Sequence, residues 1–188
     1  WTIVQIDRQN FEHWRLALLV HPETGAVLRD RLANVLGRLE IRAHEVSSLR
    51  ELRVGGHVML LGVGDLLRPD ALAELVSAAR QCGAPCVYGD ESEVDETNAP
   101  RAVTPKPAWS DELLLARPWV GRCALYDATV LSALPGRDAT WPVHATSYEL
   151  SLVASELPGA HGHRVGRVLM QRYRPLRRVS AEALEHDL

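Results

Sequence analysis

Short apolar runs of strand length alternate along this chain with stretches of helical period, and that alternation constrains the fold more than any other feature. It is the pattern of an α/β domain with a mostly parallel central sheet flanked by helices. Leu16-Ala17-Leu18-Leu19-Val20 reads as a buried strand. Thr24 is placed to cap a helix carrying Val27, Leu28, Leu32, Val35, Leu36 and Leu39 at spacings of three and four. Residues 41–46 form a second strand, and Gly55-Gly56 turns into a third, His57-Val58-Met59-Leu60-Leu61. Pro69 opens a helix whose apolar stripe is Leu72, Leu75, Val76 and Ala79. Cys86-Val87-Tyr88 is a fourth strand that ends in an acidic cluster. Residues 91–107 are polar and interrupted by prolines, which predicts loop and short strands. Leu113-Leu114-Leu115 resumes apolar packing, and Cys123-Ala124-Leu125-Tyr126 is a further strand. A helix is predicted over 148–157, a last strand over 165–170 and a terminal helix over 180–188.

The 188 residues suit one domain with a substantial core, spanning 1–188. A net charge of −3 leaves no electrostatic footprint for nucleic acid. No run of about 18 apolar residues is available to cross a bilayer, so no transmembrane segment is expected. The opening Trp1-Thr2-Ile3-Val4-Gln5 has no signal-peptide character and no initiator Met, which suggests a piece of something longer. Three cysteines, Cys82, Cys86 and Cys123, have neither the count nor the spacing of a disulfide framework or a zinc site. Cys82 and Cys86, flanking the start of an apolar run, read as small buried hydrophobes, and the cysteines suggest a reducing, cytoplasmic setting.

Ligands of open α/β sheets bind outside the carboxyl ends of the strands. Two such ends carry acids. Gly62-Val63-Gly64-Asp65 offers one carboxylate, and Gly89-Asp90-Glu91-Ser92-Glu93-Val94-Asp95 offers four. Clustered carboxylates can hold Mg²⁺ or Mn²⁺ and so bridge to a diphosphate; equally, they can be a solvated acidic loop. In Pro105-Lys106-Pro107-Ala108-Trp109 the prolines fix Lys106 and Trp109, which suit a phosphate and a sugar or base face, or simple packing. His161-Gly162-His163 reads as a turn with exposed histidines. The arginines at 172, 174, 177 and 178 are either phosphate contacts or a basic edge. No nucleophile elbow, Walker loop or dinucleotide fingerprint is present.

Taken in order, these segments resemble the bacterial family 2 glycosyltransferases of polysaccharide and O-antigen assembly, which have a GT-A fold. Val87-Tyr88-Gly89-Asp90-Glu91 through Asp95 resembles the family's Tyr-Ser-Asp-Glu-Asp-x-x-Asp. Lys106-Pro107-Ala108-Trp109-Ser110-Asp111-Glu112-Leu113-Leu114-Leu115 resembles its Phe-Lys-Pro-Asp-Trp-Asn-Pro-Asp-Leu-Leu-Leu. Leu66-Leu67-Arg68-Pro69-Asp70, Tyr148-Glu149-Leu150 and Asn10-Phe11-Glu12-His13-Trp14 match further stretches, so the likeness covers nearly the whole chain. It implies transfer of a sugar from a nucleotide-sugar to a glycan acceptor in the cytoplasm or at the inner membrane face. It also implies a Mn²⁺ or Mg²⁺ ion on Asp65 and Asp90, with Asp90, Glu91, Lys106 and Trp109 binding substrate.

The departures fall at the chemistry. The family's first strand precedes Trp1, so by this resemblance the domain is N-terminally incomplete. His21-Pro22-Glu23 replaces an Asp pair that contacts the nucleoside, and Gly62-Val63-Gly64-Asp65 replaces Asp-x-Asp-Asp. Ser147 stands where the family places its catalytic Asp, leaving Glu149 as the base of last resort. A missing base costs about 10²–10⁴-fold in rate. The alternative to an active transferase is therefore a pseudoenzyme, a GT-A domain that binds a glycan or another glycosyltransferase domain.

Overall fold

The computed structural model describes residues 2–19, 26–38, 43–46, 49–52, 54–95, 99–135, 143–157 and 161–173. Thr24, the His21-Pro22-Glu23 segment, the arginines at 174, 177 and 178, and the 180–188 segment lie outside them. Elements run α1 (Thr2–Asp7), β1 (Leu16–Leu19), α2 (Ala26–Arg38), β2 (Ala43–Val46), β3 (His57–Met59), β4 (Asp65–Leu67) and α3 (Ala71–Cys82). They continue with β5 (Cys86–Val94), β6 (Pro100–Thr104), α4 (Asp111–Ala116), β7 (Ala124–Asp127), α5 (Ala128–Ala133), α6 (Val143–Glu156) and β8 (His163–Tyr173). The predicted periodicities mark β1, α2, β2, β3, α3, β7 and α6, whereas the strand at 165–170 is longer than its apolar stretch.

β1 and β2 pair in parallel across α2. The main sheet has six strands in the order β3-β7-β5-β8-β4, with β6 beside β5. This sheet is mixed rather than mostly parallel: β5–β8 is its parallel pairing, and the others are antiparallel. Periodicity locates a strand but not its direction, which the connections decide. Between β5 and β7 stand the β6 arm and the six-residue α4, not a packed crossover helix.

Alternation along β5 and β7 splits the core into two layers. Cys86, Tyr88, Ala124 and Tyr126 face Leu114, Val130, Leu131, Leu150 and Ala154 of α4, α5 and α6. Val87 and Leu125 face the other way, packing with Leu169 and Met170 against Ala71, Leu75, Val76 and Ala79 of α3. The sheet is thus covered by helices on both faces. β5 is its central strand: β8 runs along one side, while β7 and then β6 share the other. That position buries even its polar half.

Candidate functional site: a buried network of carboxylates and cations

The acidic cluster does not follow a strand; it lies within one. β5 continues without a break through Glu91, Ser92 and Glu93 to Val94, in a stretch the sequence predicts as loop and short strands, and Asp90 and Glu91 are each 5% exposed. The β5–β8 register shifts on both sides of Asp90. Such irregularities re-aim side chains locally.

Each carboxylate is closed by cations of this chain. Asp90 accepts from the Arg164 guanidinium at 2.7 and 3.0 Å and from the Lys106 backbone N–H at 2.9 Å. Glu91 Oε1 accepts three donors: Lys106 Nζ at 2.7 Å, Arg122 N–H at 2.8 Å and Cys123 N–H at 2.9 Å. Arg172 approaches its other oxygen at 3.4 Å. Burial alone would raise the Glu91 pKa, but Lys106, the Cys123 N–H and Arg172 together hold it below the ordinary glutamate value. Lys106 sits between Pro105 and Pro107, which fix its backbone as it bridges both acids.

Asp65, at the start of β4, is fully buried. Its Oδ2 accepts the Gly62 N–H at 2.7 Å, and Oδ1 lies 2.8 Å from Arg122 Nη2 without the alignment of a hydrogen bond. Burial raises its pKa, against the Gly62 N–H and the Arg122 and Arg172 charges. A Cβ at position 62 would overlap the Arg122 guanidinium. The guanidinium therefore fills the space a side chain at 62 would take, and glycine there is what admits it.

These residues do not fit a divalent ion. Mg²⁺ and Mn²⁺ require several oxygen ligands with free lone pairs. Here Asp65, Asp90 and Glu91 are turned onto Arg122, Arg164, Lys106 and Arg172. Among the described residues no group of three His, Cys, Asp or Glu is arranged to hold a metal.

The remaining candidates lie apart from this network. Trp109 donates Nε1–H to Asp111 at 2.8 Å and packs against Tyr88 and Trp119, with ring centroids 5.9 and 5.8 Å away. Gly162 lies so close to its ring that a Cβ there would collide. Trp109 thus meets protein on several sides. Glu149, on α6, is partly buried; its Oε2 is enclosed without a hydrogen-bond partner, and burial raises its pKa. Ser147 is buried on the same helix. His161 and His163 are exposed, as expected, but His163 begins β8 rather than sitting in a turn. Cys86 and Cys123 are buried free thiols, and burial pushes Cys123 up to about 12. Cys82 is exposed, contrary to its reading as a buried hydrophobe.

Beside the network opens a cleft of about 120 Å³, lined by Pro118, Val120, Gly121, Arg122, Tyr148, Ser151 and Arg172. Sequence reasoning missed Arg122 and Arg164 altogether. The only signal available was chemical: acids buried in a central strand demand cations, but nothing local says which ones.

No protein-family model matches the chain. It is 29% identical over 142 residues to the uncharacterized protein y4gI of Sinorhizobium fredii, covering 69% of this chain and 16% of that protein. Among solved structures it is similar to S. aureus TarS, a glycosyltransferase. The TarS 1–349 complex with UDP superposes with TM-score 0.62 at 11% identity, over 92% of this chain and 55% of that one. The complex with UDP-GlcNAc gives 0.60 at 8% identity, and a longer TarS structure 0.63 at 10%, with 34% of that chain covered. The chain thus spans about half of the TarS 1–349 structures and a much smaller share of y4gI. At these identities the likeness establishes the fold alone, the one this chain shares with TarS. No helix among the described residues is long and apolar enough to cross a membrane.

Proposed function

We propose that this chain is a glycosyltransferase-like domain that binds rather than transfers, a pseudoenzyme in the sense of metal-assisted sugar transfer. The observation that carries the reading is the closure of Asp65, Asp90 and Glu91 by Arg122, Arg164 and Lys106. A metal would have to displace at least two buried or half-buried cations to reach those oxygens. Removing the Lewis acid that neutralises a departing diphosphate adds several kcal/mol to the barrier. Its natural ligands on this reading are a nucleotide-sugar, a glycan, or another glycosyltransferase domain of a longer protein.

UDP-GlcNAc is the donor to try first, because TarS was crystallised with it. Incubation of the chain with UDP-GlcNAc, with and without Mn²⁺, should release no UDP above the uncatalysed background. Mn²⁺-dependent UDP release would overturn the reading. A second reading, metal-free transfer with Glu149 as base, draws on its raised pKa and its enclosed, unpartnered oxygen. That version requires UDP release in EDTA, in the presence of an acceptor glycan, that Glu149→Gln abolishes.

A further inference from the structure

We infer that the surface joining α4 to the mouth of the cleft is a self-association face: two copies of this chain meet across a two-fold axis, Glu112 of each copy pairing with the partner's Arg172. The inference concerns how copies meet and is independent of whether the domain transfers sugar.

The charge count on the cleft side comes first. Asp90 and Arg164 cancel, and Lys106, Arg122 and Arg172 then stand against Asp65 and Glu91, leaving one positive charge over. Lys106 is buried on Glu91, so the surplus falls at the arginines of the cleft. One charge calls for one carboxylate. Arg172 is the cation able to meet it: it reaches Glu91 only at 3.4 Å, and its side chain is 40% exposed. Its Nε–H has no acceptor, so turning outward costs no hydrogen bond there. The rim beside it is apolar. Val63 is fully exposed in the loop before β4, and the exposed Tyr173 is tied to that loop through its N–H to Gly64 O.

The matching half lies on the same chain. On α4, Leu115 is 75% exposed, and Glu112 stands exposed one turn before it. Residues three apart share a helix face. Glu112 accepts the Ser110 hydroxyl at 3.0 Å, which holds the carboxylate at that end of α4. An acid beside an apolar side chain thus mirrors a cation beside apolar side chains. The two halves are contiguous: Pro118 of the cleft wall follows α4 within two residues, and Tyr148, another cleft residue, donates its hydroxyl to Leu114 O at 3.0 Å. α4 itself is only about 9 Å long. Both halves therefore fit inside the roughly 800 Å² that each partner gives to an interface of standard size. Two-fold interfaces need a self-complementary patch, in which one residue meets a second and the second meets the first in return. Here one axis satisfies both surplus cations and covers Leu115, Val63 and Tyr173 in both copies. Exposed apolar side chains gathered in one place mark such contacts.

Sedimentation velocity from about 1 to 200 µM tests this, a range that spans micromolar dissociation constants. The parent should pass reversibly from monomer to dimer, and added salt should weaken the dimer. Glu112→Gln and Arg172→Gln should each weaken it by about tenfold or more, the loss of one interfacial charge pair. The double variant should be no weaker than the weaker single one, because both substitutions remove the same contact. Leu115→Ser should weaken the dimer without altering its salt dependence. Glu112→Gln and Glu112→Lys lie on an exposed surface and keep the parent's thermal midpoint, so they decide the matter even where Arg172→Gln is less stable. A monomer throughout the range, a dimer indifferent to Glu112→Lys, or losses that add in the double variant would each overturn the proposal.

Discussion

Glu91 is held by donors from three separate segments, at Lys106, at Arg122 and Cys123, and at Arg172. Lys106 and Glu91 are both almost fully buried, so removing one partner strands the other. Lys106→Met should cost about 3–5 kcal/mol in urea denaturation, nearer the lower figure because two backbone N–H donors remain. The sign of the pH dependence follows from the shifts. Glu91's folded pKa is lowered, so its contribution is complete above its ordinary value of about 4.3 and is lost as pH falls through the folded one. Asp65 runs the other way: its raised pKa makes ionisation cost stability as pH rises through the folded value. Glu91→Gln should therefore be less stable than the parent at pH 7, and the deficit should narrow at about pH 3. An equal deficit at both pH values would show that Glu91 acts through packing rather than charge. Gly121, at φ +72, is the turn that delivers the Arg122 and Cys123 N–H groups. A Cβ there would collide with the Glu91 carboxylate. Gly121→Ala should lose about 1–3 kcal/mol to backbone strain alone, before that collision is counted.

At the scale of elements, ends are set by local chemistry. Ser110, in extended conformation, accepts the Leu113 N–H through its hydroxyl and so starts α4. Ser110→Ala should cost about 1 kcal/mol in the same denaturation assay. Gly83, left-handed at φ +64, ends α3 by donating its N–H to Ala79 O. The stripe Leu72, Leu75, Val76 and Ala79 was legible because each of these residues lies within a few positions of the next, whereas the Ser110 and Gly83 caps were not read from the sequence. For β5, the sequence read a strand to Tyr88 and loop with short strands from 91 on, but not one continuous strand through Gly89 and Asp90 to Val94. Its polar half is a strand because β8 and β6 flank it and Lys106, Arg122 and Arg164 meet its acids. Those partners lie 15, 31 and 74 residues away, beyond any periodicity. The same distance hid Arg122, so the metal expected on Asp65 and Asp90 rested on carboxylates counted without their cations. The resemblance carried the positions of Asp90, Glu91 and Lys106, but not the fact that they pair with one another's neighbourhood instead of facing a ligand.

Across the whole molecule, the central strand makes an internal electrostatic joint of the acids that the family resemblance implies bind substrate. β5, β6 with its following Lys106, the turn before β7, and β8 are tied at one buried point. A ligand that entered there as a metal would have to reorganise all four. Binding to the native state alone stabilises it by RT ln(1 + [L]/Kd), about 2.7 kcal/mol at a hundred times Kd. At roughly 2–4 °C of melting temperature per kcal/mol for a chain of this size, a micromolar Mn²⁺ site would raise the midpoint by about 5–11 °C at that excess. The closed network predicts no such rise, and equally no fall when EDTA is added to protein prepared without chelator. A metal-induced shift of several degrees that survives Arg172→Gln but disappears in Asp90→Ala would mean the carboxylates open in solution, and the cations now closing them would be a resting state of a working metal site.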